Sequence, residues 1–108
     1  VLVTGPDPGA LRDGARTAEL LTAYPQVETR LIVNRIRRRI FRRTRVTVDD
    51  IMDTVGLPLL GIVPEDEAVP LAAAAGAPLA LYTGKGASLA CLHMARRLLG
   101  IRQPFVRL

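Results

Sequence analysis

The sequence predicts an α/β protein: a partial doubly wound parallel sheet of about three strands with crossover helices. Three observations carry this. Short apolar runs, rich in β-branched residues, occupy Val1–Thr4, Arg30–Asn34 and Pro58–Val63. Between them lie stretches whose apolar residues recur at helical spacing. Pro and Gly punctuate the joints. Strand alternating with helix builds a parallel sheet with the helices as crossovers. About three strands is fewer than the five or so of a complete doubly wound domain.

Each element has a local reason. Val1–Thr4 reads as a strand buried on both faces, broken by Gly5-Pro6-Asp7-Pro8-Gly9. Asp7 suits an N-cap and Pro8 the first helical position. Ala10–Ala23 carries an apolar stripe at Leu11, Ala15, Ala18, Leu20 and Leu21, and Pro25 ends it. Asp13 and Arg16, three apart, are placed to pair. Thr47-Val48-Asp49-Asp50 has the pattern of a capping box, with Asp50 where Glu or Gln is usual. Val48, Ile51, Met52 and Val55 form the stripe of that helix, and Gly56 fits its C-terminus. Val69–Ala75 reads as a short helix closed by Gly76, and Pro78–Tyr82 as a short extended piece. Ala87–Leu99 is the last helix, capped near Ser88, with Leu89, Leu92, Ala95, Leu98 and Leu99 inward. A short tail, Ile101–Leu108, follows.

At 108 residues and with 49% apolar composition, the chain is one domain or part of one, and not disordered. The net charge is +5, and Lys85 is the only lysine. Cys91 is the single cysteine, so no internal disulfide forms, and His93 is equally alone. Two positions apart, they face different sides of a helix, and both read as structural. No apolar run approaches the ~18 residues of a membrane span. No basic segment precedes an apolar one at the start, so no signal peptide is read. Opening on Val1-Leu2-Val3 without Met is the expectation for a piece cut from something larger.

Two strand ends attract attention. Leu31-Ile32-Val33 runs straight into Asn34-Arg35. The carboxyl end of a parallel strand faces the ligand crevice. An amide there can bond bidentately to an adenine edge, or it can simply begin a turn. Val63 runs likewise into Pro64-Glu65-Asp66-Glu67. These acids suit a helix start, with Asp66 as cap and Glu67 in the first turn, and the same placement suits a ligand loop.

Between Arg35 and Arg45, seven of eleven residues are arginine, with Ile36, Ile40 and Phe41 interleaved. A solvated connecting loop is one account; a patch for anionic lipid or DNA, centred on Arg37, Arg38, Arg39, Arg42 and Arg43, is the other. Gly84-Lys85-Gly86-Ala87-Ser88 is not a phosphate loop. Gly86 stands where a hydroxyl residue must follow the lysine, and Leu79 stands at the leading glycine. It reads as a loop before a helix. No self-sufficient catalytic constellation is present, and no metal-ligand cluster.

Segments 3–16, 31–35, 48–53 and 58–69, with Gly76-Ala77-Pro78-Leu79 and Ala95-Arg96-Arg97-Leu98-Leu99-Gly100, resemble in order the carboxyl-terminal half of the septum-site-determining MinD ATPases. These belong to the MinD/ParA deviant phosphate-loop superfamily. The joint occurrence of Arg-Asp-x-x-Arg, Val-Asn-Arg and Val-Pro-Glu-Asp carries the resemblance, and the first element favours MinD over partition and flagellar-number ATPases. The resemblance implies the C-terminal half of a phosphate-loop NTPase domain over 1–108. It implies an adenine site in which Asn34 and Arg35 meet Pro64, Glu65 and Asp66. Arg12, Asp13 and Arg16 match a segment near the partner and dimer face. Ala15 replaces an acid common in that motif, and Gly5 a Thr or Asn of the usual turn.

The resemblance further implies ATP or ADP with magnesium in the full-length parent. It implies a homodimer, a division inhibitor and a topological-specificity factor as partners, and a cytoplasmic location at the inner membrane surface. The family's phosphate loop, magnesium-binding aspartates and sensing loops match nothing in these residues. The fragment alone is therefore expected neither to hydrolyse ATP nor to bind it tightly. Ile101–Leu108, with Val106 and Leu108 as weak anchors, is too short for a convincing membrane-targeting helix. A small remnant of a sheet leaves an edge and packing faces exposed, so self-association is expected.

Overall fold

The apolar runs of the sequence pair side by side. In this computed structural model, which describes residues 1–105, β1 (Leu2–Thr4), β2 (Leu31–Ile36) and β3 (Leu59–Pro64) form one parallel sheet in the order β1-β2-β3. The helices are α1 (Pro8–Leu21), α2 (Arg38–Thr44), α3 (Val48–Val55), α4 (Ala68–Ala74), α5 (Leu79–Tyr82) and α6 (Ala87–Leu98). The expected fold class holds.

Side chains alternate across a strand, so Leu31 and Val33 face one side of the sheet and Ile32 the other. Leu31 and Val33 are buried with Leu11, Ala18, Ile51 and Val55, which places α1 and α3 on one face. Ile32 packs with Leu60, Val63, Ala87 and Met94, which places α6 on the other. The helix starts follow the sequence. The Asp7 carboxylate accepts from the Ala10 N–H at 3.1 Å, with Pro8 in the first turn. In α3 the Asp50 N–H donates to Thr47 Oγ1 at 3.1 Å, and the Thr47 N–H donates to Asp50 Oδ2 at 2.8 Å. The capping box thus works with Asp in the Glu position.

Gly61 decides how closely α6 approaches. A Cβ at this position would clash with the Met94 side chain, so any larger residue here displaces that side chain from the sheet. That close approach selects the small side chains of Ala87 and Ala90, with Met94, as the inward face. The leucine stripe expected to face inward instead faces out, with Leu89 40% and Leu92 46% exposed. Ser88 is not the cap. It is buried within the helix, and Gly86 holds the N-cap position.

Other expectations also change. Val3 is exposed because α1 covers only one face of β1. Leu20 lies on the outer side of α1, and Asp13 and Arg16 form no ion pair. β2 continues past Asn34 to Ile36, so Asn34 lies within the strand and begins no turn. The segment after Arg37 is a helix, α2, and not a loop: Phe41 is buried in the core and anchors it. Pro78–Tyr82 contains a helical turn, α5, closed by the Tyr82 N–H donating to the Pro78 carbonyl at 3.1 Å. Glu67, not Asp66, holds the N-cap position of α4. Val106 and Leu108 lie outside the described residues.

Candidate functional site

The candidate site is built where β2 and β3 end together. The sheet register breaks between Val33 and Ile36, leaving one extra residue in β2. Such a bulge re-aims side chains next to functional sites. Arg35 takes the strain, with φ at +60°, a left-handed conformation uncommon outside glycine. Asn34 stabilises the bulge, since its Oδ1 accepts from the Arg35 N–H at 2.9 Å. Beyond the bulge the strands rejoin: the Glu65 N–H donates to the Ile36 carbonyl at 2.9 Å. This brings Asn34 and Arg35 beside Pro64, Glu65 and Asp66 at one end of the sheet.

Charges lock the two strand ends. Glu65 accepts from Arg37 Nε through one oxygen and pairs with Arg35 through the other at 3.4 Å. The Arg37 bond, aided by Arg35, holds the Glu65 carboxyl below the usual carboxylate range. The Arg37 guanidinium is pushed up in turn. Asp66 works differently, by accepting backbone N–H groups: Ala68 at 2.9 Å and Ala87 at 3.0 Å. Those two bonds, Ala68 first, depress its pKa. The carboxylate thus ties the end of β3 to the starts of both α4 and α6.

The polar group at this end of the sheet is therefore half-buried Asn34 with the Pro64-Glu65-Asp66 turn. Asn34 keeps its Nδ2 free of protein acceptors among the described residues, and its Oδ1 retains a second lone pair. It can donate to and accept from one ligand edge. A cleft of about 170 Å3 lies on the Pro64 side, bounded also by Ile36, Arg38, Gly86, Leu89 and His93; Asn34, Glu65 and Asp66 do not line it. It is smaller than the roughly 300 Å3 at which ligand pockets usually begin.

The other candidates lie apart. Arg12, Asp13 and Arg16 are exposed on α1, with no bond to the Asn34–Asp66 group. Arg38, Arg39, Arg42 and Arg43 are exposed on α2, whereas Arg37 is held by Glu65. Cys91 is exposed and His93 half-buried. Among the described residues no group of His, Cys, Asp or Glu is placed to hold a metal. No helix there is long and apolar enough to cross a membrane.

Sequence reasoning missed Arg97. Its guanidinium donates to the carbonyls of Leu60 at 2.8 Å, Gln103 at 3.0 Å and Pro104 at 2.8 Å. It also lies over the Phe105 ring, 4.0 Å from the centroid. Burial lowers its pKa. The available signal was its place in the Ala87, Ala90, Met94, Arg97 spacing, the stripe that faces the sheet.

The chain is similar to the septum site-determining protein MinD of Bacillus subtilis, 37% identical over 106 residues, covering 96% of this chain and 40% of that protein. The Aquifex aeolicus MinD cell division protein superposes with a TM-score of 0.89 at 32% identity, over 97% of this chain and 45% of that one. Its MinC:MinD complex gives the same TM-score and identity. A Pyrococcus horikoshii septum site-determining protein complexed with Mg-ADP shares the fold, with a TM-score of 0.74 at 21% identity, over 89% of this chain and 40% of that one. No family model matches the sequence. The chain spans about two fifths of the length of the curated relatives it matches.

Proposed function

The chain belongs, over nearly its whole length, to the family of septum-site-determining MinD proteins, and on that premise we propose that it carries the adenine-recognising half of a nucleotide site. The supporting observation is the bond from the Glu65 N–H to the Ile36 carbonyl at 2.9 Å. It joins the end of β2 to the turn after β3, so that Asn34 and the Pro64–Asp66 turn share the carboxyl end of the sheet, the end at which α/β proteins bind ligands. Asn34 reads the base through its amide, donating from Nδ2 and accepting at Oδ1. Arg35 and Glu65 brace this end of the sheet, and Asp66 fixes the turn.

Phosphates and magnesium supply most of the grip on such nucleotides. No residue here matches a phosphate loop. The 108-residue chain therefore holds adenosine weakly, holds ATP no more tightly, and does not turn ATP over. In the longer parent the same site serves ATP and ADP with magnesium. The exposed Arg12, Asp13 and Arg16 face of α1 serves the dimer and a division inhibitor, by analogy with the MinC:MinD complex of Aquifex aeolicus. The parent acts in the cytoplasm at the inner membrane surface.

Amide NMR of the 15N-labelled chain tests the base assignment. Millimolar adenosine is expected to shift the Asn34 side-chain amide and the Glu65 and Asp66 backbone signals, with guanosine much weaker. A good bidentate amide–base pair discriminates by about 1–3 kcal/mol, or roughly 5- to 150-fold. Equal shifts with both nucleosides, or shifts confined to other residues, overturn the reading.

A further inference from the structure

The chain leaves α6 by a turn at Gly100, whose φ is +81°. The Ile101 N–H donates back to the Arg96 carbonyl at 2.9 Å, the outer closure of a Schellman motif. Residues 101–105 then border an open groove with Arg30 and Leu59, at the amino ends of β2 and β3. Little of this strap belongs to the packed fold. None of its residues joins either buried cluster. Phe105 is 49% exposed. Beyond Ile101, no backbone N–H of the strap donates to a backbone carbonyl among the described residues.

One side chain holds it. Arg97 donates from Nε to the Gln103 carbonyl at 3.0 Å and from Nη2 to the Pro104 carbonyl at 2.8 Å. These consecutive carbonyls match one edge of the planar guanidinium. The remaining nitrogen, Nη1, donates to the Leu60 carbonyl at 2.8 Å. Leu60 is the extra residue in β3, between the pairs Leu31–Leu59 and Ile32–Gly61, and it is buried. Phe105 covers the face of the same guanidinium. The one other side-chain bond to the strap is weak, from Arg96 Nη1 to Gln103 Oε1 at 3.4 Å.

We propose that Arg97 is the latch of a strap with two positions. Residues 101–105 lie closed over the amino end of the sheet while the guanidinium holds them, and they open as one unit, with the sheet still folded, when it lets go. Segments with few buried contacts and no backbone ladder open at the least free-energy cost. Closed, the strap fixes Phe105 at the amino end of the sheet, opposite the Pro64–Asp66 turn. Open, it releases the chain beyond Gly100. The latch requires arginine. A lysine ammonium is compact, so it can serve the Leu60 carbonyl but cannot also span Gln103 and Pro104 or lie flat on Phe105.

The Arg97→Lys variant of the 108-residue chain tests the latch, because it keeps a donor for the buried Leu60 carbonyl. Order parameters of the Gln103 and Phe105 amides, from 15N relaxation, should lie near 0.85 in the wild type and fall toward 0.6 in the variant. Trypsin cleavage after Arg102, which reports the open population, should accelerate at least about tenfold, since two charge-assisted bonds are lost. Cleavage after Arg16 in α1 should not change. Arg96→Lys, the control, should leave the strap as ordered as in the wild type. Four results overturn the proposal: a strap already mobile in the wild type, an Arg97→Lys strap as ordered and as resistant as the wild type, equal effects of Arg96→Lys and Arg97→Lys, or order lost through β3 and α6 together with the strap.

Discussion

The carboxylate of Asp66 accepts the backbone N–H of Ala87 at 3.0 Å, from a position 21 residues earlier in the chain. Helix α6 thereby receives its cap from the turn that follows β3 and not from its own N-cap, Gly86, which has no side chain to offer. Gly86 has φ at +57°, and a Cβ there would lie 2.3 Å from Asp66 Oδ2. Gly86→Ala is therefore expected to cost about 1–2 kcal/mol from the left-handed backbone alone, plus the displacement of Asp66. Urea denaturation measures the loss, and hydrogen exchange at the Ala87 amide reports whether the cap is released. Unchanged stability and unchanged Ala87 protection would show that the two loops are not coupled.

Three carboxylates give the fold an acid sensitivity of known sign. Asp50 is held below its ordinary pKa by Thr47, Glu65 by Arg37, and Asp66 by the Ala68 and Ala87 amides. Each binds protons less readily folded than unfolded. Their stabilisation is complete above about pH 5 and drains away as pH falls through the depressed folded-state values. Denaturant midpoints measured between pH 7 and pH 3 should drop at the acid end, and Asp66→Asn should flatten part of that drop. A wild-type midpoint that stays level across this range excludes the linkage.

The sheet, the three long helices and the turn after β3 were legible in the sequence because each rests on local chemistry. Asp7, the Thr47/Asp50 box and Gly56 act within a few residues of themselves, so their patterns survive without tertiary context. Glu65 was legible as following a strand, whereas Asn34 read as a strand end and lies inside β2, and their union was not legible. It depends on a bulge at Arg35 and on pairing between strands about thirty residues apart. The rotation of α6 was illegible for the same reason. Leucine spacing alone favours Leu89 and Leu92 as the inward face, whereas Ala87, Ala90 and Met94, the last against Gly61, face the sheet. Phe41 shows the converse: one buried aromatic turned an arginine run that reads as loop into a helix.

That Gly61 contact is itself testable. Adding one methyl group at Gly61 drives a Cβ to 2.3 Å from Met94 Cγ and 2.5 Å from its sulfur. Overpacking of this kind typically costs about 1–3 kcal/mol. Gly61→Ala should lower the thermal midpoint, and Gly61→Ala/Met94→Ala should recover part of the steric loss, although it forfeits the buried Met94 side chain. A double-mutant cycle on Gly61 and Met94 gives the coupling directly. Additive effects would mean that α6 shifts freely over β3 and that the glycine does not set its seat.

The outward leucines carry a consequence for solution behaviour. Leu81 is 83% exposed on α5, and Leu89 and Leu92 are exposed on α6. β1 and β3 both stand at edges of the three-stranded sheet, and Val3 leaves the uncovered face of β1 apolar. Unpaired strand edges and contiguous apolar faces drive association between copies. Sedimentation velocity of the 108-residue chain should show a weight-average coefficient that rises with concentration. Leu89→Glu/Leu92→Glu should suppress the part due to the helix face while leaving the fold intact, because neither side chain contributes to the buried core. If association persists in that variant, the sheet edge carries it, and Val3→Lys on β1 is the change expected to reduce it. A single monomeric species at the highest attainable concentration would rule out both surfaces.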